Sequence, residues 1–214
     1  MKRAKPVPLS VGKRPLGPRA VITRDKLLEA TAAMLETGGL LDFKVVDVAR
    51  AVGTSPATFY QYFASVEDAI LELSAKIADG LASLLETMNK PWKGPKSLDH
   101  ARQFVDEYFL HYDAHRAVLR VRNLSAQEGD VRFRRVRNDA MLPFTKALAA
   151  KIEEAQAAGR VASEISSFAA GGGLMAMMER LAAFRYEFEA RGVDRAALVE
   201  TTARMVHQTV TGRR

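Results

Sequence analysis

The sequence predicts an all-α protein in which an N-terminal three-helix head is joined to a larger helical body. Apolar residues recur at helical spacing through most of the 214 residues, and no run of alternating Val, Ile and Thr indicates a strand. Glycine and proline mark where helices stop, most clearly over 89–97, where two prolines and a glycine cannot continue a helix. We therefore expect helices joined by turns throughout the chain.

The head is predicted to contain three helices. The first has an apolar stripe that begins near Thr23 and stops at Gly38. The second is predicted over 45–52 and the third over 56–62. A long helix over 66–88 then leads into the body.

Beyond that long helix, the periodicity predicts further helices over 98–112, 115–127, 130–158, 165–191 and 194–211. Gly171-Gly172-Gly173 lies inside one of them. A glycine inside a helix costs about 1 kcal/mol relative to alanine, so three together require a reason. A close approach to another helix, room for a ligand and a break in the helix are the alternatives.

The composition favours a protein of the reducing cytoplasm over a secreted or membrane protein. The chain has no cysteine, which excludes disulfides and thiolate metal sites and makes a reducing cytoplasm the simplest compartment. No apolar run approaches the roughly 18 residues of a membrane span, and the charged N-terminus lacks the apolar segment of a secretory signal. We therefore expect a cytoplasmic protein that does not enter the membrane.

The net charge of +7 is distributed unevenly. Residues 1–65 hold ten Lys and Arg against five acidic residues, whereas the remaining residues hold 22 against 20. Residues 1–20 contain six cations, four prolines and no acid, which is typical of a disordered basic arm, although an extension without a role fits the same composition. The positive charge on and before the head favours a polyanionic partner.

Residues 42–66 have the pattern of a helix-turn-helix, a unit that places a short helix in the major groove of DNA. Ser55 is a good N-cap, Pro56 fits the first helical position, and Gly53 supplies the turn. Small side chains follow at the start of the helix and allow a close approach to base edges. This segment is therefore the candidate for reading DNA.

The side chains that would meet DNA follow from this arrangement. Phe59 and Phe63 are four residues apart and should face the core of the head. Hydroxyl, amide and phenol groups beside them can reach base edges and phosphates. The predicted DNA-binding residues are Lys44, Thr54, Ser55, Ala57, Thr58, Tyr60, Gln61 and Tyr62. The alternative is an ordinary helical hairpin that happens to contain aromatic residues.

The same stretch resembles the N-terminal signature of the TetR/AcrR-type transcriptional regulators. The matching residues are Val48-Ala49, Gly53, Ser55, Thr58-Phe59-Tyr60, Tyr62-Phe63 and Ser65. The resemblance implies a homodimer that forms through the last two helices and binds a palindromic operator in double-stranded DNA. It also implies that a ligand bound in the body respaces the two heads and releases the DNA.

Three positions depart from the family pattern, and at one of them Thr54 replaces a more usual Val or Ile. Val66 stands where the family usually has a phosphate-binding lysine, and Lys44 stands where it often has a capping threonine. Loss of a cation weakens the grip on phosphates. We hypothesise that Lys44 and the basic arm supply the missing charge.

A ligand-responsive body needs an interior site lined mostly by apolar groups. Aromatic residues at helical spacing and methionines beside the three glycines are the candidates, because thioethers adapt to varied apolar shapes. The predicted effector-binding residues are Trp92, Phe104, Tyr108, Tyr112, Met141, Phe144, Leu148, Met175 and Met178. A plain hydrophobic core predicts the same pattern. The expected effector is a small apolar molecule.

Seven arginines crowd one helix junction in the body. They are Arg116, Arg120, Arg122, Arg132, Arg134, Arg135 and Arg137. We expect a solvated basic surface there, and contact with the head or with an acidic group of the ligand is the alternative.

These observations predict a basic arm over 1–20, a DNA-binding domain over 21–66 and an effector-binding and dimerisation domain over 67–214. The chain is expected to be a one-component regulator, most simply a ligand-released repressor, with no cofactor or metal. It is not expected to be an enzyme, since it has no phosphate-binding loop, Gly-x-Ser-x-Gly motif or cysteine nucleophile. A helical binding protein with a vestigial head, a ligand-dependent activator and an all-α enzyme are the alternatives.

Overall fold

The structure is a computed structural model that describes residues 15–38 and 43–213. Over these residues the chain forms α-helices and no β-strand, which confirms the predicted all-α class. The helices are α1 (Pro18–Thr37), α2 (Val45–Ala51), α3 (Pro56–Tyr62), α4 (Val66–Asp79), α5 (Ala82–Asn89), α6 (Ser97–Ala114), α7 (Arg116–Gln127), α8 (Val131–Ala157), α9 (Ser167–Ala183), α10 (Arg185–Glu189) and α11 (Arg195–Thr211). Within the described ranges, none of these helices is long and apolar enough to cross a membrane.

Helices α2 and α3 lie where the sequence predicts them, but α1 begins earlier than predicted. Its first residue is Pro18 instead of Thr23, and Gly17 is its N-cap. Proline suits this position because its φ is already helical and an N–H there would have no partner within the helix. Residues 18–20 are therefore helical, which corrects their assignment to a disordered arm. Residues 1–14 of that arm lie outside the described ranges.

The predicted helix over 66–88 is divided into α4 and α5. The amide of Gly80 donates to the carbonyl oxygen of Ile77 (3.1 Å), and the amide of Leu81 donates to that of Ala78 (3.1 Å). These three-residue bonds are of the tighter 3₁₀ type, which commonly closes a helix. The apolar spacing continues through the break, so the sequence pattern predicted one helix where the structure has two.

The predicted helix over 165–191 is also divided, into α9 and α10. At the end of α9 the Arg116 guanidinium donates to the carbonyl oxygens of Ala182 (2.8 Å) and Ala183 (2.6 Å). Carbonyls in the last turn of a helix have no partner within the helix, so this arginine satisfies groups that the break exposes. The donor is distant in sequence, and the local pattern therefore gave no sign of it.

The chain forms two compact units. Unit 1 contains Met1–Lys76 and Ala117–Val136, and unit 2 contains Ile77–Arg116 and Arg137–Arg214. Unit 1 thus includes most of α4, nearly all of α7 and the first residues of α8 in addition to the three predicted head helices. The predicted boundary at residue 66 differs from this division because the later segment of unit 1 is separated from the head in sequence.

Within unit 2, helix α11 packs along α6 through paired polar groups as well as apolar side chains. Arg102 Nε donates to Glu200 Oε2 at 2.6 Å. Ser97 Oγ and His207 Nε2 form a buried hydrogen bond of 2.7 Å. Val206 and Val210 on the same helix are fully buried. The inner face of α11 is therefore fixed within the chain.

Helix α9 continues without interruption through its three glycines, so a helix break at this point is wrong. A Cβ placed on Gly171 would lie 2.7 Å from the carbonyl oxygen of Thr145 and 3.3 Å from the amide nitrogen of Ala149, both in α8. Glycine at this position is what allows the two helix backbones to come so close. A Cβ on Gly173 would meet nothing within 4 Å.

Candidate DNA-reading head and effector site

Helix α3 begins at a position fixed by its own side chains. The Thr58 amide donates to Ser55 Oγ (3.3 Å), and the two hydroxyl oxygens lie 3.1 Å apart. Pro56 occupies the first turn, and Gly53 before it has a φ of 72°, which residues with a side chain adopt at a cost. The predicted cap, turn and bounds of this helix are confirmed.

The inner side of α3 is anchored by aromatic and charged contacts within unit 1. Phe59 and Phe63 are 0% and 3% exposed, as predicted, and their ring centroids are 5.3 Å apart. The Arg24 guanidinium lies 4.9 Å from the Phe63 ring centroid and pairs with the Glu72 carboxylate. Because Arg24 belongs to α1 and Glu72 to α4, these contacts tie three helices together and hold α3 in one orientation.

The predicted DNA-binding residues lie on the outward side of this arrangement. None of the eight is buried: five are exposed and three are partly exposed. The exposed five are Lys44, Ser55, Ala57, Tyr60 and Gln61, and the partly exposed three are Thr54, Thr58 and Tyr62. Tyr60 is 52% exposed, which is a large value for an aromatic side chain in a packed head. Their contact with DNA remains a prediction.

The departures at Lys44 and Val66 have distinct structural consequences. The Lys44 backbone N–H donates to Asp47 Oδ2 at 2.9 Å, so the start of α2 is capped by the aspartate. The Lys44 ammonium, which cannot accept a hydrogen bond, is left on an exposed side chain. Val66 is 8% exposed at the start of α4 and packs in the core of unit 1.

Two arginines of the predicted basic surface brace the head. Arg132 Nη1 donates to Asp68 Oδ1 in α4 at 2.7 Å, and Arg120 Nη2 donates to the carbonyl oxygen of Gly38 at the end of α1 at 3.3 Å. Hydrogen bonds from Arg132 also lower the pKa of Asp130 to about 2. All of these groups belong to unit 1, and the prediction of a merely solvated surface is wrong for Arg120 and Arg132.

Contact with the head was only the alternative predicted for this arginine cluster, because the sequence did not identify the acceptors. The acceptors on α1 and α4 lie far from the arginines in sequence, so no local spacing connects them. The one local signal is the acidic residue two positions before Arg132, since Asp130 and Arg132 form a hydrogen-bonded pair of 2.8 Å.

Four of the predicted effector-binding residues come together in unit 2 as an aromatic row. The row consists of Trp92, Phe104, Phe144 and Tyr108. The ring centroids of Trp92 and Phe104 are 6.3 Å apart, those of Phe104 and Phe144 are 6.0 Å apart and stacked, and those of Phe104 and Tyr108 are 6.5 Å apart. Helices α6 and α8 and the connection between α5 and α6 therefore present aromatic groups to one another.

The other predicted effector-binding residues are also mostly interior. Tyr112, Leu148, Met175 and Met178 are at most 3% exposed, and Met141 is partly exposed. Such burial fits a packed core and the wall of a ligand site equally well, so their contact with an effector stays a prediction. Among the residues that the structure describes, no group of three or more His, Asp or Glu could hold a metal ion.

An ion pair missed by the sequence analysis lies beside the tyrosines of unit 2. Arg137 Nε lies 3.1 Å from Glu179 Oε2, and the Glu179 side chain is only 9% exposed. Burial opposes the charge on Arg137, but the Glu179 carboxylate and the nearby Tyr108 and Tyr112 outweigh it and raise the pKa of Arg137. A buried carboxylate thus pairs with a partly exposed arginine beside the tyrosines.

Two hydrogen-bond donors lie at the Trp92 end of the aromatic row. Trp92 is 5% exposed, and its indole N–H has no hydrogen-bond partner among the described residues. Lys151 Nζ lies 5.3 Å from the Trp92 ring centroid and donates to the carbonyl oxygen of Lys90 at 2.8 Å. Burial lowers the pKa of Lys151. The sequence pattern indicated Trp92 but not Lys151, which carries no local signal.

Family models match most of the chain. The model of the bacterial regulatory proteins of the tetR family matches residues 27–73, which contain the helix-turn-helix. A model of the tetracyclin repressor-like C-terminal domain matches residues 81–214, which is more than half of the chain.

Relatives of known function match over part of the chain. The HTH-type transcriptional regulator EthR of Mycobacterium tuberculosis is 31% identical over 101 residues, which cover 45% of this chain and 45% of EthR. EthR of Mycobacterium bovis matches to the same extent. The match thus spans about half the length of these relatives.

Solved structures share the fold over nearly the whole length. The fatty acid degradation regulator FadR from Bacillus halodurans has a TM-score of 0.67 at 18% identity and covers 90% of this chain and 96% of its own. FadR from Bacillus subtilis in complex with stearoyl-CoA has a TM-score of 0.64 at 15% identity, with coverage of 89% and 99%. Because the C-terminal model covers more than half of the residues and the N-terminal model covers the helix-turn-helix, this chain belongs to the TetR family of bacterial transcriptional regulators.

Proposed function

We propose that this chain is a one-component regulator that binds double-stranded operator DNA through α3 and represses transcription. The observation that carries the proposal is the outward face of α3. This face presents small and hydrogen-bonding side chains, while Phe59 and Phe63 anchor the opposite side. A rigid short helix with accessible polar groups suits base-edge contacts in the major groove.

Lys44 supplies the accompanying phosphate contact in this proposal. Its exposed ammonium stands at the start of α2, and Asp47 caps the helix without engaging it. Val66 is buried and cannot serve as the phosphate-binding group. Lys44 thus takes over part of a role that the family usually gives to a lysine at the start of α4.

We assign effector binding to unit 2, with the aromatic row as its centre. A small, largely apolar molecule fits the residues that converge there. The FadR structures from Bacillus subtilis and Thermus thermophilus contain stearoyl-CoA and lauroyl-CoA, respectively, which makes acyl compounds a reasonable class to test. Effector binding is expected to release the operator through a coupling free energy between the two sites.

A homodimer formed through α9 and α11 completes the proposal. Phe168 at the start of α9 is 53% exposed and Met205 on α11 is 46% exposed, so each presents apolar surface that a second copy would cover. A dimer with two-fold symmetry matches a palindromic operator. The protein is expected to act in the cytoplasm and to have no enzymatic activity.

The test of this function is a gel-shift titration of the DNA upstream of the protein's own gene. The wild-type protein is expected to form a specific complex that survives an excess of unrelated duplex. Gln61→Ala is expected to lose about tenfold in affinity for that site, because one base contact is worth about 1–3 kcal/mol. Lys44→Ala is expected to weaken binding to the specific duplex and to unrelated duplexes alike. The salt dependence of its affinity should fall by the amount of about one phosphate contact.

Lys146→Ala, an exposed change on α8, is the matched control and is expected to leave DNA binding unchanged. A wild-type protein that forms no specific complex at any salt concentration would contradict the proposal. That outcome would favour a helical small-molecule binding protein with a vestigial head.

A further inference from the structure

The Trp92 end of the aromatic row combines apolar walls with hydrogen-bond donors that lack acceptors. The indole N–H of Trp92 is buried without a partner among the described residues. A buried donor without an acceptor costs about 1–3 kcal/mol, so such a group needs an explanation. A ligand that brings an acceptor atom to this N–H would remove that cost.

Lys151 adds a positive charge to the same place. Its ammonium lies over the Trp92 ring and makes one hydrogen bond, to the carbonyl oxygen of Lys90. Within the described part of the chain it forms no ion pair: the nearby Glu154 is engaged by Lys93, at 2.9 Å. An ammonium has three N–H donors, so Lys151 retains donors for a ligand.

The neighbours of these donors are apolar. Phe104 and Phe144 are 0% and 1% exposed and stack on each other, and the Phe104 ring lies beside Trp92. Because Trp92 is 5% exposed, little water reaches its indole N–H, and a hydrogen bond made there is stronger than it would be at the surface. An apolar chain could lie along the aromatic row with its polar end at Trp92.

We propose that Trp92 and Lys151 form the polar end of the effector site and bind an acyl oxygen, carried by a carboxylate or a thioester, at the end of an apolar chain. In this arrangement the indole N–H donates to one oxygen lone pair and the Lys151 ammonium donates to the same group. The inference rests on the proposal that unit 2 binds an apolar effector, and it specifies which polar group that effector carries. Neutral hydrocarbons and cationic amphiphiles are disfavoured by the same donors.

The test compares probes that share one apolar chain and differ in the polar group. Laurate, lauroyl-CoA, dodecanol and dodecyltrimethylammonium are titrated by calorimetry below the concentrations at which they form micelles. The sequence has a single tryptophan, so tryptophan emission reports directly on Trp92. Laurate or lauroyl-CoA is expected to bind at least about tenfold more tightly than dodecanol and to change that emission, and dodecyltrimethylammonium is expected not to bind. Comparing laurate with lauroyl-CoA distinguishes a free acid from a thioester.

Two variants remove the donors separately. Trp92→Phe keeps an aromatic ring without the N–H, and Lys151→Met keeps much of the apolar stem without the charge. Each is expected to weaken binding of the acyl probe about tenfold and binding of dodecanol by a smaller factor, because the dodecanol hydroxyl accepts weaker hydrogen bonds than an acyl oxygen does. Lys146→Met on the exposed side of α8 is the control and is expected to bind as the wild type. Circular dichroism and thermal unfolding establish that each variant is folded.

Equal affinity for the acyl probes and dodecanol would overturn the inference, and so would wild-type binding of the acyl probes by both folded variants. Failure of the proposed function has a different signature. If acyl probes bind selectively through Trp92 and Lys151 but no operator complex forms, the polar end of the site is supported and the regulatory role is contradicted. If a neutral apolar compound releases the operator and both variants respond normally, the regulatory role stands and this inference falls.

Discussion

At the scale of single residues, neighbours in space decide what each member of a sequence pattern does. The three glycines of α9 are identical in sequence, yet only Gly171 meets backbone atoms of α8. The sequence indicated that a run of glycines needs a reason, and close helix approach was one of the alternatives. Which glycine provides it depends on the partner helix, and local spacing carries no information about that partner.

Gly171→Ala and Gly173→Ala form a matched pair on one helix. The first places a Cβ 2.7 Å from the Thr145 carbonyl oxygen and forces α8 and α9 apart, so we expect a loss of about 1–3 kcal/mol in the free energy of unfolding. The second adds a methyl group in open space and should gain up to about 1 kcal/mol from helix propensity. Chemical denaturation of both variants at one protein concentration measures the difference. Equal effects of the two variants would show that the close approach of α8 and α9 contributes nothing to stability.

The lowered pKa of His207 predicts that the stability of the fold depends on pH. Burial, together with the cations Arg213, Arg102 and Arg204, lowers the pKa of His207 below its ordinary value of 6.5. The unfolded chain takes up a proton below 6.5 while the folded chain does not. The contribution of neutral His207 is therefore complete above that pH and is lost as the pH falls from 6.5 through the folded pKa.

The unfolding temperature of His207→Gln is expected to change less between about pH 7.5 and about pH 5.5 than that of the wild type does. The nearby Glu200 carboxylate contributes little over this window, because Arg102 and Arg204 hold its pKa at about 2. Thermal unfolding at the two pH values measures the difference, and His100→Gln, which changes a partly exposed histidine, serves as the control. An unchanged pH dependence in His207→Gln would rule out this assignment.

At the scale of helices, the sequence predicted those whose start and stop signals lie in their own residues. It did not predict helix ends that depend on tighter turns or on residues distant in sequence. Ser55, Pro56 and Gly53 specify α3, and the structure has the helix where those residues predict it. The break between α4 and α5 occurs at a tighter turn. At the break between α9 and α10, the Arg116 guanidinium binds the exposed carbonyl oxygens. The apolar periodicity runs on through both breaks, so it predicted longer helices.

The Arg24–Glu72 pair is expected to be the main polar link between α1 and α4. The side chains are 9% and 25% exposed, so removing one partner leaves a partly desolvated charge. Arg24→Met should lower the free energy of unfolding by about 2–4 kcal/mol. The contact that Glu72 keeps with Lys76 limits this loss. Arg50→Met breaks the Arg50–Asp47 pair, whose arginine side chain is 74% exposed, and should cost less than about 0.5 kcal/mol. Similar losses in the two variants, measured by denaturation, would contradict the role of burial.

At the scale of the whole molecule, the sequence predicted the fold class and the position of the head, whereas the grouping of helices into units required the structure. The reading face of α3 and the aromatic row were both predicted as sets of residues. Arg132 was predicted only within a solvated basic surface and Lys151 was not predicted to lie beside Trp92, because their partners are distant in sequence. Periodicity identifies a buried face but does not identify the element that covers it.

The proposed dimer predicts that exposed apolar residues of α9 and α11 are covered in solution. Phe168→Glu and Met205→Glu should each raise the dimer dissociation constant by about 100-fold, because a charge would be buried where an apolar side chain packs. Leu110→Glu changes an equally exposed leucine on α6 and should leave the dimer intact. Sedimentation velocity across a range of concentrations distinguishes the species. A wild-type protein that is monomeric throughout would contradict the dimer.

The most direct test of the central claim is selection of bound sequences from a random duplex library, followed by footprinting of the recovered site. A dimer that reads DNA through α3 should recover a palindrome whose half-sites lie about one helical turn apart, or a multiple of that distance, with protection centred on major grooves. The Gln61→Ala variant should fail to enrich the same sequence while retaining its fold. Recovery of no common sequence by the wild-type protein, or an identical palindrome selected by Gln61→Ala, Tyr60→Ala and Thr58→Ala, would contradict the assignment of DNA reading to α3.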